Sequence, residues 1–122
     1  MKQILIVDDF ASGRHVLREW LERQGYACQE VEHGSEALRA IQIKHFDLVI
    51  TDNQMPVMTG LQLLQRLAER PEGQRPPVIF LTGNLSEQLS NAAQKAGASA
   101  VMQKPYNDQE LISEITRILE HR

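Results

Sequence analysis

The chain has 122 residues, 42% of them hydrophobic and 24% charged, with a formal net charge of −3. That length is one ordinary domain able to bury roughly two-thirds of its unfolded surface, and the composition excludes a disordered chain. The charge offers no nucleic-acid footprint, the lone Cys28 excludes an internal disulfide, no apolar run reaches a membrane span, and the start MKQILIVDD lacks a signal peptide's apolar region and cleavage site, so a cytoplasmic protein with no membrane or direct nucleic-acid partner is expected.

The first predicted element is a strand at 4–7 (ILIV), whose continuous apolar character fits a strand covered on both faces. Ser12 then caps a helix with Val16, Leu17, Trp20 and Leu21 inward, and Gly25 stops it. The more polar run at 26–31 (YACQEV) reads as an edge strand. Ser35 caps a second helix with Ala37, Leu38 and Ile41 inward, and LVI at 48–50 forms a third strand. Gly60 opens a third helix with Leu61, Leu64 and Leu67 on one face, and PEGQRPP at 71–77 breaks it into a surface loop. A fourth strand follows at 78–81 (VIFL), then a helix capped by Ser86 with Leu89, Ala92, Ala93 and Ala96 inward and a stop at Gly97. The fifth strand is AVM at 100–102, and Asn107 with Glu110 opens a last helix that buries Leu111, Ile112, Ile115, Ile118 and Leu119 at helical spacing. Five strands alternating with five helices predict an α/β parallel sheet covered on both faces, in one domain over residues 1–122 that leaves no room for a second.

Such a sheet places ligands at the carboxyl ends of its strands. The first strand ends at Asp8 and Asp9, the third at Asp52, the fourth at Thr82, and Lys104 follows the fifth. Singly, each reads as a turn residue, a cap or a solvated charge. Together they do not, because carboxylates about 5 Å apart repel by roughly 3 kcal/mol at an effective dielectric near 20. A cation among them resolves the repulsion. His15, His33, His45 and His121 share no ligand spacing, and the remaining donors are hard oxygens, which favour Mg²⁺ beside a phosphoryl group. Lys104 and the Thr82 hydroxyl then supply donors to the other phosphoryl oxygens.

At these residues the chain resembles the receiver domain of two-component response regulators. The resemblance spans essentially all 122 residues and rests on VDD at 7–9, TDNQMPVMTG at 51–60, LTG at 81–83 and KPY at 104–106, each at the end of the appropriate strand. It implies a flavodoxin-like, doubly wound (βα)5 sandwich with sheet order 2-1-3-4-5. It implies that Asp52 is the phosphoacceptor, receiving its phosphoryl group from a sensor histidine kinase or a His-phosphotransfer protein. Asp9 and Asp52 would ligate Mg²⁺ directly, Asp8 through water, and the Gln54 backbone carbonyl would complete the protein ligands. Thr82 and Lys104 would hold phosphoryl oxygens, Pro105 would follow a cis peptide, and Gly83 would leave the group accessible. Phosphorylation would switch a surface of the fourth helix, fifth strand and fifth helix that meets a downstream protein and through which receivers also pair as homodimers. Such a domain promotes its own phosphorylation and dephosphorylation without being a conventional turnover enzyme.

Three positions depart from or tune that pattern. Val101 stands where the family usually has Tyr or Phe, so that aromatic's role does not carry over, and Tyr106 is not at the same position. Gln54 and Asn84 lie where the family tunes the lifetime of the acyl phosphate. An alternative within the family is a receiver excised from a hybrid kinase or from a regulator with an effector domain. Two rivals lie outside it. A flavin carrier of the same topology needs a neutral phosphate loop where DDFASG stands, and an aspartyl-phosphate phosphatase usually carries an acid where Gln54 stands.

Overall fold

The computed structural model describes residues 1–120; His121 lies outside the described residues. The elements run β1 (Gln3–Val7), α1 (Ala11–Arg23), β2 (Ala27–Val31), α2 (Gly34–Ile43), β3 (Leu48–Asp52), α3 (Gly60–Ala68), a 3-10 turn (Glu72–Gln74), β4 (Val78–Thr82), α4 (Glu87–Lys95), β5 (Ala100–Gln103) and α5 (Asp108–Glu120). The strands pair in parallel in the order β2-β1-β3-β4-β5, as the resemblance implies. In register, Ile6 lies beside Ile50, Asp52 beside Leu81, and Thr82 beside Gln103, so the strand ends converge on one rim.

The apolar runs alternate between two cores because side chains along a strand point to opposite faces. Leu5, Val7, Val49 and Phe80 pack on one side with Ala37, Ile41, Leu63, Leu64, Leu67 and Ala93 of α2, α3 and α4. Ile4, Ile6, Ile50, Ile79 and Leu81 pack on the other side with Leu21 of α1 and Leu111, Ile115 and Ile118 of α5. Only a sheet with helices on both faces can bury such runs completely.

Several local expectations hold. The Ser86 hydroxyl accepts the Leu89 N–H at 3.0 Å, and the Asn107 side chain accepts the Glu110 N–H at 3.0 Å. Gly25 and Gly97 end α1 and α4 with φ of 98° and 105°, where a side chain would be strained. Other expectations are corrected. Neither Ser12 nor Ser35 caps its helix; both sit inside the first turn, after Phe10 and His33. Upstream, the Asp8 carboxylate accepts the Phe10 N–H at 3.0 Å, while the Glu36 carboxylate reaches back to the Glu32 N–H at 3.2 Å. Gly60 does open α3, but the cap is Thr59, in a reciprocal pair with Gln62. Val16 is 67% exposed, because the buried stripe of α1 runs through Arg14, Leu17 and Leu21 instead.

Candidate functional site

Asp52 is the last residue of β3 and is buried at 6% exposure. Carboxylate oxygens of Asp8, Asp9 and Asp52 all lie within 4.8 Å of one another. The Lys104 ammonium reaches this cluster from the end of β5, with Nζ 2.9 Å from Asp52 Oδ1 and 3.4 Å from Asp8 Oδ2. The other Asp52 oxygen accepts the Gln54 backbone N–H at 3.0 Å. Burial pushes the Asp52 carboxyl above its usual range, and the nearby Asp8 charge adds to this, despite the opposing pull of Lys104 and the Gln54 amide. Burial alone would lower the Lys104 ammonium, but Asp52 and Asp8 together hold it above its ordinary value.

This arrangement fits a divalent cation. One ammonium meets three clustered carboxylates, so the pocket carries surplus negative charge whose most buried member already resists ionisation. Every grouped ligand atom is a carboxylate oxygen, the donor type that suits Mg²⁺. A second group of potential ligands, Glu32, His33 and Glu36, is exposed. Its carboxylates already serve the protein: Glu32 lies 3.6 Å from Arg14, and Glu36 accepts the Glu32 amide.

The loops around the cluster are built tightly. Gly60 allows the chain after Asp52 to fold back on itself, since a Cβ there would lie 2.4 Å from the Asp52 carbonyl oxygen. The Gly60 N–H donates to the Asn53 carbonyl at 3.1 Å, and the Leu61 N–H to the Asn53 side chain at 3.0 Å. Met55 is buried in the core and Met58 packs against it. Thr82 ends β4 fully buried, and its hydroxyl accepts the Asn84 N–H at 3.2 Å. Gly83 is exposed, and a Cβ there would meet only the Gln54 side chain, at 3.6 Å. The Lys104–Pro105 peptide is cis.

Val101 is partly buried against the core on the α4 side of the sheet. Tyr106 packs on the opposite core and lines a cleft with Phe10, Leu17, Lys104 and Pro105. The two residues therefore do not share a place. Sequence reasoning brought Asp8, Asp9, Asp52, Thr82, Lys104 and Gln54 to this rim, but it missed Arg14. Arg14, Leu17 and Leu21 have the i, i+3, i+7 spacing of one helix face, so the signal was present but lay in a residue type that a core stripe seldom admits.

Comparison with known proteins settles the family. Residues 4–116 match the family described as response regulator receiver domain. The chain belongs to that family. The receiver is 34% identical over 120 residues to the chemotaxis protein CheY of Pseudomonas aeruginosa, covering 97% of this chain and 96% of that one. It is 32% identical to the transcriptional regulatory protein ResD of Bacillus subtilis over 96% of this chain but 48% of ResD, so it spans about half of that relative's length. Among solved structures, a CheY-like receiver domain protein from Methanospirillum hungatei superposes with a TM-score of 0.92 at 31% identity, covering 99% of this chain and 95% of that one. The response regulator TrrA of Thermotoga maritima, solved in complex with Mg²⁺-BeF, superposes with a TM-score of 0.87 at 33% identity, covering 98% and 100%. Receiver domains are phosphoacceptor signalling domains of two-component systems, bind Mg²⁺ at their acidic pocket, and exchange signals with histidine kinases or phosphotransfer proteins and with downstream effectors. None of the described helices is long and apolar enough to cross a membrane.

Proposed function

We propose that residues 1–122 form a single receiver domain, acting in the cytoplasm, whose Asp52 accepts a phosphoryl group from a phosphohistidine. The observation that carries this reading is the buried Asp52 carboxylate held 2.9 Å from Lys104 within a three-carboxylate cluster. An Asp52 oxygen attacks phosphorus as the phosphorus–nitrogen bond of the donor breaks, and the imidazole departs with the bonding pair. Lys104 passes from the carboxylate to an oxygen of the transferred group, where its charge counts most. Thr82 is already inaccessible, so its part is a turn of the hydroxyl from the Asn84 amide toward a phosphoryl oxygen rather than travel from the surface.

Asp9 and Asp52 would hold Mg²⁺ directly, Asp8 through water, and the Gln54 carbonyl would complete the set. When bound, Mg²⁺ neutralises charge that develops on the phosphoryl oxygens. The domain promotes its own phosphorylation and dephosphorylation. Its signal leaves through the face of α4, β5 and α5, which serves a downstream protein or a second copy of the chain. With Val101 in place of an aromatic, that output rests on Thr82 and the backbone around it rather than on a rotating ring. The test is acetyl phosphate with Mg²⁺ followed by intact mass. One phosphoryl adduct is expected on the native chain and none on Asp52→Asn. An adduct that survives the substitution, or no adduct on the native chain even with a beryllofluoride mimic failing to bind, overturns the assignment.

A further inference from the structure

Arg14 is the most unusual buried residue outside the cluster. It lies on the inner face of α1 at 6% exposure, among positions where an apolar side chain would pack without losing its hydration. Its Nε donates to Glu30 at 2.8 Å, and its Nη1 donates to the Asp8 backbone carbonyl at 2.7 Å. Glu30 is itself well anchored. It sits on β2, paired with Ile6 of β1, and also receives His15 at 2.6 Å and Arg18 at 3.2 Å. Burial pushes the Glu30 carboxyl upward, but Arg14, Arg18 and His15 together pull it below its usual range, so it is a firm anion.

The Asp8 carbonyl belongs to the peptide plane that joins Asp8 to Asp9. With the strand side of Asp8 held, the direction of this carbonyl sets ψ at Asp8, and so where the chain places Asp9 and its carboxylate relative to the Asp8 carboxylate. The strand ladder holds one side of Asp8, whose N–H donates to the Val31 carbonyl at 3.2 Å. Arg14 takes the other side. Only a guanidinium has forked donors that can satisfy a carboxylate and a carbonyl at once in fixed geometry.

We infer that Arg14 is a positioning residue for the cation site: anchored on Glu30, it fixes the backbone between Asp8 and Asp9 and so places the Asp9 carboxylate relative to that of Asp8. The inference rests on the Mg²⁺ reading above. It makes a prediction whose sign opposes simple electrostatics. Deleting a positive charge near a cation site should strengthen cation binding, whereas loss of aim weakens it. Supporting groups behind metal ligands typically change affinity by about 10–100-fold, and the lower end is expected for a group that acts through backbone.

The experiment is calorimetric titration of the full chain with Mg²⁺. Arg14→Met should weaken binding about 10-fold and shift the Asp9 amide resonance in the metal-free protein. Arg14→Lys, which keeps the charge but loses the fork, should recover only part of the affinity. Ile118→Val, a modest loss of stability in the distant core, should leave the affinity unchanged. Affinity for Arg14→Met within twofold of native, or tighter than native, overturns the inference. If Arg14→Met does not fold, Arg14→Lys carries the test, since charge is kept and electrostatics predicts no change: about a threefold weakening is expected, and native affinity overturns the inference. The underlying reading fails separately. If the native chain binds no Mg²⁺, or if Asp9→Asn binds as tightly as native, the cation site is wrong and the Arg14 inference falls with it.

Discussion

Two aspartates bracket β3, and the sheet treats them in opposite ways. Asp47 stands at the amino end, where its carboxylate accepts the Gln3 N–H at 2.7 Å and lies 3.2 Å from the His45 ring. Burial pushes Asp47 upward, yet the Gln3 amide and His45 more than reverse it, and the carboxyl is held below its usual range. Asp52 stands at the carboxyl end, and there burial wins over Lys104 and the Gln54 amide, so the carboxyl is raised. A charge at the amino rim is met by groups that stabilise it. A charge at the carboxyl rim is left partly uncompensated, which is the condition for binding a cation and a phosphoryl group.

The largest test of this contrast uses glycine. Gly60→Ala forces a Cβ to within 2.4 Å of the Asp52 carbonyl oxygen, and overpacking of this kind against backbone should cost about 2–3 kcal/mol. Gly73, on the amino-rim loop, has nothing within 4 Å of a built Cβ, so Gly73→Ala should stay within about 0.5 kcal/mol of native. Urea melts of both variants decide it; equal losses would mean that the two rims do not differ in constraint.

Next comes a pair with opposite signs. Asp47→Asn should lose about 2 kcal/mol at neutral pH, because it weakens charge-assisted hydrogen bonds. Asp47 is lowered in the folded state, so its contribution is fully present above the unfolded carboxyl pKa of about 3.9 and disappears as pH falls through the lower folded value. The difference between native and Asp47→Asn should therefore close in acid. Asp52 is raised, so its favour for the fold is fully present below about pH 3.9 and is lost as pH rises through its folded value. In chelator at neutral pH, Asp52→Asn should match or exceed native stability, by up to about 1 kcal/mol. A large loss there would mean that the Lys104 pairing outweighs burial.

Mg²⁺ sharpens the same comparison. At ten times its dissociation constant, a ligand of the folded state adds about 1.4 kcal/mol. That gain should appear for native and Asp47→Asn, and shrink for Asp9→Asn and Asp52→Asn. Thermal melts with and without Mg²⁺ read it directly. The smallest effect concerns Val57, on the loop after Asp52, which holds φ at 68° with its side chain fully exposed. A β-branched residue in the left-handed region costs about 1 kcal/mol with no packing to offset it. Val57→Asn should raise stability by about that amount. A loss instead would show that the exposed side chain makes a contact in the folded chain.

The degree to which each part was legible follows from how local its physics is. Continuous apolar strands, caps such as Ser86 and Asn107, and the glycine stops at 25 and 97 depend on neighbours within a few residues, and these were read correctly. The failures at Ser12 and Ser35 share one cause. In each case a carboxylate from nearby sequence, Asp8 or Glu36, had already taken an amide at the turn, and the helix began one residue before the serine. Val16 was misplaced because hydrophobicity alone chose the stripe, whereas Glu30 made room for a buried charge at Arg14.

The linear order of residues by itself determined that Asp8, Asp9, Asp52, Thr82 and Lys104 would stand at strand ends, because periodicity and turn chemistry are encoded locally and parallel crossovers bring those ends to one rim. Only the tertiary structure decided which of these groups are stabilised and which are left wanting. Burial, the reach of Lys104 to two carboxylates, and the hold of Arg14 on the Asp8–Asp9 peptide all depend on contacts between residues far apart in the chain, and electrostatic cost is set by that surrounding geometry rather than by residue identity.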